Sequence, residues 1–174
     1  MSEDDLHARL RALEERVARL DDLEAIRRLK CEHALASDDP ANLPQRFADI
    51  VTDDFVADYG EGFGVIHGKE ELRAFLTNVP FTWTMHFMIP KRIDVAPDGR
   101  TATGIWYLWE PALAQDPSRT KSTALWLGAV YDEQYRKESD GSWKISALKF
   151  DAKLLVPYSE GWEKRRVAAI NFDD

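Results

Sequence analysis

At 174 residues with 44% hydrophobic side chains, the chain is long enough for one domain with a sizeable core and needs no disulfide or metal staple. Its formal charge of −8, with 31 acidic residues interspersed among 23 basic ones, excludes a phosphate-tracking basic stripe and makes nucleic acid an unsuitable partner. The lone Cys31 can close no internal disulfide, Met1 to Leu10 lacks the basic region and apolar run of a signal peptide, and no stretch of about 18 apolar residues occurs. The expectation is a cytoplasmic protein with no membrane span.

Leu6, Leu10, Leu13, Val17 and Leu20 step by four, three, four and three, the apolar seam of an amphipathic helix with a short coiled-coil character. This N-terminal arm, residues 1–22, packs either on its own domain or on another subunit. Asp21-Asp22 breaks the seam and the apolar set restarts at Leu23, Ile26, Leu29 and Leu35, which predicts two helices or one kinked helix ending near Ser37. Cys31, inside that pattern, reads as a small buried apolar residue. Asp39-Pro40 reads as an N-cap followed by proline at the first position of a short helix through Phe47 to Ile50. Asp38 is out of place, because a carboxylate in the last turn of a helix faces the negative end of the dipole.

Val51 to Tyr59 predicts a strand, Gly60 to Gly64 a turn, and Val65-Ile66 its hairpin partner, with a helix over Lys69 to Leu76. Strands follow at Phe81 to Met88, Arg92 to Val95, Thr101 to Trp109, Thr123 to Arg136 and Trp143 to Leu155. Asp98-Gly99 and Asp140-Gly141 mark hairpin turns. Helices first and a meander of long strands afterwards indicate an α+β fold with segregated elements, in one domain spanning 1–174.

Strand alternation puts His86 on one face with Thr84 and Met88, and Glu110 in line with Trp106 and Leu108. His86 is then either a satisfied core histidine or a titrating group in a pocket, and Glu110 either an edge charge or a pocket acid raised by desolvation. His33 lies five residues before Asp38, about 140° around an ideal helix, so the two share a face only if the last turn unwinds. The other reading of His33 is a cation favoured by the helix C-terminus. No glycine-rich phosphate loop, H-E-x-x-H, paired C-x-x-C or G-x-S-x-G occurs, which leaves cofactor-free acid/base chemistry or binding without chemistry.

The run Leu23-Glu24-Ala25-Ile26-Arg27-Arg28-Leu29-Lys30 with His33 and Asp38, the strand Thr84-Met85-His86, the strand Ala102 to Leu108, and the hairpin through Tyr131, Tyr135, Asp140-Gly141 and Trp143 together resemble the SnoaL-like lyases of the nuclear transport factor 2-like (cystatin-like) superfamily. The likeness is nearer to bile acid 7α-dehydratases and looser to hexachlorocyclohexane dehydrochlorinases. It implies a cone-shaped, curved antiparallel or mixed sheet wrapped by N-terminal helices around a pocket for a small hydrophobic molecule. It also implies a dyad in which Asp38 orients His86 as general base. Glu110 falls where the dehydratases carry an aspartate, and His33 where they carry a tyrosine. The family's arginine on the last strand has no match, since Ala152 occupies its position and Lys153 is one residue off, on the opposite face.

The resemblance implies a cofactor-independent lyase or isomerase with dehydratase-type chemistry on a bulky apolar ring substrate such as a steroid, polyketide or aromatic. His33 or Glu110 would protonate the departing oxygen, against an apolar wall drawn from Trp83, Phe87, Trp106 or Trp126. The alternative is a noncatalytic ligand-binding or accessory subunit, like the small subunit of ring-hydroxylating dioxygenases. A third possibility is SnoaL-type cyclisation with Asp38 itself as the base. Proteins of this shape bury the outer side of the sheet against a copy, so a homo-oligomer, dimer or trimer, is expected.

Overall fold

The computed structural model describes residues 2–60, 63–118 and 120–168. One helix, α1 (Glu3–Ser37), runs without interruption through the predicted break at Asp21-Asp22. What changes there is the apolar stripe and not the backbone, because Asp22 turns inward to accept a 2.9 Å hydrogen bond from the Trp143 indole and to pair with Lys137. From there on, Asp22, Ile26, Leu29, Lys30 and His33 form the buried side of the helix. Cys31 lies off that stripe and is exposed, contrary to expectation; the charged Lys30 takes the interior position instead.

The short helix α2 (Leu43–Asp49) begins later than the sequence suggests. Asp39 is not its N-cap. Pro44 sits in its first turn and Asn42 at the cap, while the Asp39 carboxylate accepts from the Asn42 amide and pairs with Arg46, holding the connecting turn. Helix α3 (Gly68–Thr77) follows the hairpin β1 (Val51–Asp58) and β2 (Val65–His67). The hairpin turn falls partly outside the described residues.

The remaining strands are β3 (Phe81–Thr84), β4 (Phe87–Val95), β5 (Thr101–Gln115), β6 (Ser122–Lys137) and β7 (Trp143–Pro157). They complete a seven-stranded sheet in the order β2-β1-β7-β6-β5-β3, with β4 also pairing to β5. All pairings are antiparallel except β1 with β7, so the sheet is mixed. Gly99 and Gly141 turn the two predicted hairpins with positive φ, and Asp98 and Asp140 accept backbone hydrogen bonds at each tip.

Two strand boundaries differ from expectation, and together they make the site. Phe81 to Met88 is not one strand, because β3 and β4 are separate segments along the same edge of β5 with Met85 and His86 between them. Strand β5 in turn runs on past Trp109, so Glu110 is mid-strand and not a strand end. Pro111, which has no N–H for a sheet partner, pairs with Trp126 on β6 and faces the gap between β3 and β4, where its carbonyl accepts from Met85.

The core fills the space between α1, α2, α3 and the inner face of the sheet, around Ile26, Phe47, Phe55, Leu72, Tyr135 and Ile145. Gly104 on β5 is part of that packing, since a Cβ there would come within 2.9 Å of Trp106 Nε1 and Tyr135 Oη. Gly104→Ala should therefore cost about 1–3 kcal/mol by overpacking, read as a lower urea midpoint with unchanged slope.

Candidate active site

The C-terminal end of α1 delivers Asp38 to the gap between β3 and β4. The helix does not unwind to do so. Asp38 is the residue just beyond the last turn, with φ −83° and ψ 3°, and its own N–H still bonds back to Ala34. Its carboxylate accepts from the His86 backbone N–H at 3.0 and 3.2 Å and lies 2.7 Å from His86 Nδ1. Thr84 Oγ1 sits 3.2 Å from the same oxygen and 2.9 Å from the Ser37 carbonyl. The strand break has a local cause: His86 gives its N–H to Asp38, not to a strand.

Partial burial pushes Asp38 up, but the side-chain and backbone hydrogen bonds from His86 outweigh it and hold the carboxyl below its ordinary range. Asp38 is therefore ionised and holds Nδ1 of His86 as a proton donor, which turns Nε2 of the ring away from it. Nε2 lies 3.3 Å from Glu110 Oε2. Burial raises Glu110 to about 7; the charge on His86 works against that shift and the charge on Asp38 adds to it. The imidazole thus sits between an ionised carboxylate and one that carries a proton near neutrality.

His33, His86 and Glu110 all line one cavity of about 1590 Å³, while Asp38 stands behind His86. His33 does not meet Asp38. It is buried on the inward stripe of α1, edge-on to Phe47 and Tyr131, and is held well below its ordinary pKa by burial and by the charges on Lys30 and His86. The C-terminal cation reading is thereby corrected: the ring is neutral. Lys30 Nζ lies 2.9 Å from His33 Nδ1 and 2.5 Å from Glu133 Oε1. An ammonium can only donate, so His33 carries its own proton on Nε2.

This buried set was missed from the sequence, which singled out neither Lys30 nor Glu133 as a site residue. Burial lowers Lys30 and the Glu133 carboxylate counteracts it; Tyr135 donates to the other Glu133 oxygen, and Trp106 donates to Tyr135 at 2.7 Å. The available signal was the spacing of Ile26, Leu29, Lys30 and His33, an i, i+3, i+4, i+7 stripe that puts Lys30 on the inner face.

None of the four aromatic residues expected to wall the pocket does so. Trp83 and Phe87 point outward from the sheet, Trp126 stacks on Trp109, and Trp106 is spent on the Tyr135 bond deeper in the core. The wall is made by Phe47, Tyr59, Phe75, Phe81, Tyr131 and Phe150. Ala152 also lines it, and Lys153 pairs with Asp151 on the same strand. Among the described residues no three His, Cys, Asp or Glu side chains are grouped to hold a metal ion, and no helix is long and apolar enough to cross a membrane.

A curved mixed sheet closed by helices over an aromatic cavity, with titrating groups on its wall, defines the nuclear transport factor 2-like class of pocket proteins. The model of the SnoaL-like domain matches residues 18–149, and the chain belongs to that family. Among solved structures, a hexachlorocyclohexane dehydrochlorinase (LinA) of type 2 is 24% identical, with 91% of this chain and 97% of that one covered at a TM-score of 0.68. A candidate scytalone dehydratase from Novosphingobium aromaticivorans is 18% identical, covering 88% of this chain and 94% of its own at a TM-score of 0.67. At these identities the likeness is one of fold.

Two outcomes test the electrostatics. Lys30→Met leaves the Glu133 charge buried without its cation and should destabilise by about 3–5 kcal/mol, largely restored in Lys30→Met/Glu133→Leu, as measured by urea unfolding. Glu110 is raised above its ordinary 4.5, so the fold favours its protonated form; that contribution is fully present below 4.5 and is lost as pH rises through about 7. Melting temperatures of Glu110→Gln should fall less over this window than those of the wild type.

Proposed function

We propose that this protein is a cofactor-independent lyase or isomerase that performs dehydratase-type acid/base chemistry on a bulky apolar ring substrate. The observation that carries the reading is the placement of His86 between Asp38 and Glu110 on the wall of an aromatic cavity. Nε2 of His86 removes a proton from a carbon activated by an adjacent carbonyl or leaving group, and Asp38 stabilises the imidazolium that forms. Glu110, protonated near neutrality, gives its proton to the departing or enolic oxygen, and the Nε2–H of His33 donates a hydrogen bond to the same developing charge. Asp38 is a positioning residue here and not the base, because His86 stands between it and the cavity; this disfavours the cyclase-type reading. The dehydrochlorinase and dehydratase names among the structural neighbours support a lyase-type role.

The aromatic wall suits a steroid, polyketide or fused aromatic ring, desolvated against Phe47, Tyr131 and Phe150. With Ala152 in the wall, no guanidinium stands at that position, and Lys149 is the cation that lines the cavity on the same strand. Ala152 in that place favours the second reading, a noncatalytic ligand-binding or accessory subunit. The outward face carrying Trp83, Met85, Phe87 and Ile89, each about half exposed, supports assembly with further copies of the chain.

Solvent-deuterium incorporation adjacent to the carbonyl, followed by NMR over a panel of steroid and polycyclic ketones, tests the chemistry without the natural substrate in hand. His86→Ala should lower exchange by about 10²- to 10⁴-fold, and Asp38→Asn should lower kcat with KM little changed. Exchange undiminished in His86→Ala would overturn the assignment, and binding of a panel member without any exchange would favour the noncatalytic reading.

A further inference from the structure

The chemistry above does not use the N-terminal part of α1, and none of its residues from Ser2 to Asp21 is buried by the body. Every residue from Ser2 to Asp21 is exposed, so the helix leaves the body as an arm of about 28 Å. Along it Leu6, Leu10, Leu13, Val17 and Leu20 form a continuous apolar seam, each 50–57% exposed. Written as heptads, Leu10 and Val17 are a positions and Leu6, Leu13 and Leu20 are d positions. The matched SnoaL-like domain begins at residue 18, so most of this seam lies outside it.

We propose that the arm pairs in parallel with the same arm of a second copy of this chain, as a two-stranded coiled coil. The flanking charges select that partner and that orientation. Arg9 and Arg16 occupy g positions, and Glu14 and Asp21 occupy e positions. In a parallel pair each g residue faces the e residue five places on in the partner, which sets Arg9 against Glu14 and Arg16 against Asp21, both attractive. An antiparallel pair sets g against g and e against e, arginine on arginine and acid on acid, and is repelled. Val17 at a with leucine at every d favours two strands.

The packing of the body agrees. Asp22 and Leu29, on the stripe that packs on the sheet, lie nine residues beyond Leu13 and Leu20, about 180° around the helix. The seam therefore faces away from its own domain, and two bodies fit on opposite sides of a paired arm. Two and a half heptads fall short of the ~3–4 that mark a self-standing coiled coil, so the pairing is to be read in the full chain and not in an isolated peptide.

In a Cys31→Ser background, Leu6→Cys should form a disulfide-linked dimer under mild oxidation at micromolar concentration, whereas Ala8→Cys, on the outward f position, should not. A mixture of Leu6→Cys with a size-tagged Leu20→Cys should give only like-with-like products. Arg9→Glu/Arg16→Glu should weaken association at least tenfold by sedimentation equilibrium, and adding Glu14→Arg/Asp21→Arg to the same chain should restore it. Equal cross-linking at Leu6 and Ala8, a dominant Leu6–Leu20 product, or charge reversal without effect would each overturn the inference. Every substituted position but Cys31 lies on the arm, and far-UV circular dichroism checks the body. The inference does not depend on the chemistry at His86. An oligomer by sedimentation that gives no seam cross-link leaves self-association standing and overturns the paired arm.

Discussion

The structure turns on a charge pair that ordinary solvation would forbid. Lys30 and Glu133 are 1% and 0% exposed, 2.5 Å apart, and join helix α1 to strand β6. Two ions removed from water are stable only when each remaining proton and lone pair is matched. Here the second Glu133 oxygen takes the Tyr135 hydroxyl, Tyr135 takes the Trp106 indole, and Lys30 also reaches His33 and lies 4.0 Å from the centre of the Tyr131 ring. The pair thereby fixes the rotation of α1 on the sheet. Asp22 on Trp143 and Asp38 on His86 secure the same helix eight residues to either side.

With that rotation set, the end of α1 can only arrive at the gap between β3 and β4. A carboxylate beyond the last turn would gain nothing from the helix dipole. It is compensated instead by the His86 ring and backbone N–H and by Thr84, and in return it holds the ring in one tautomer and one orientation. Glu110 completes the opposite pattern: deep burial on β5, little hydrogen bonding, and a proton retained to about 7. Two carboxylates flank one imidazole in unlike surroundings, and those surroundings separate their proton affinities.

Much of this was legible in the chain. The α+β order, the Asp-Gly hairpins and the alternation that puts Thr84 and His86 on one face depend on local propensity and strand parity, which a sequence carries directly. The errors share a cause. Asp21-Asp22 and Asp39-Pro40 read as a helix break and a helix start because isolated acids and prolines disfavour continuation, and in each case side-chain partners decide otherwise. Asp22 has the distant Trp143 and Lys137, and Asp39 has Asn42 and Arg46 in a turn that precedes the helix.

By itself the sequence carried the α+β order of the elements and the seam on the N-terminal arm, and it offered His86, Asp38, His33 and Glu110 as candidates, because residue type, period and the family likeness suffice for these. Only the tertiary structure decided which of them meet: that Asp38 stands behind His86, that Glu110 faces its other nitrogen, that His33 is neutral through Lys30, and that the wall is built from phenylalanines and tyrosines and not from the expected tryptophans. The reason is that proton affinity and orientation are set by neighbours within a few ångströms, and those neighbours are up to 103 residues apart in the chain.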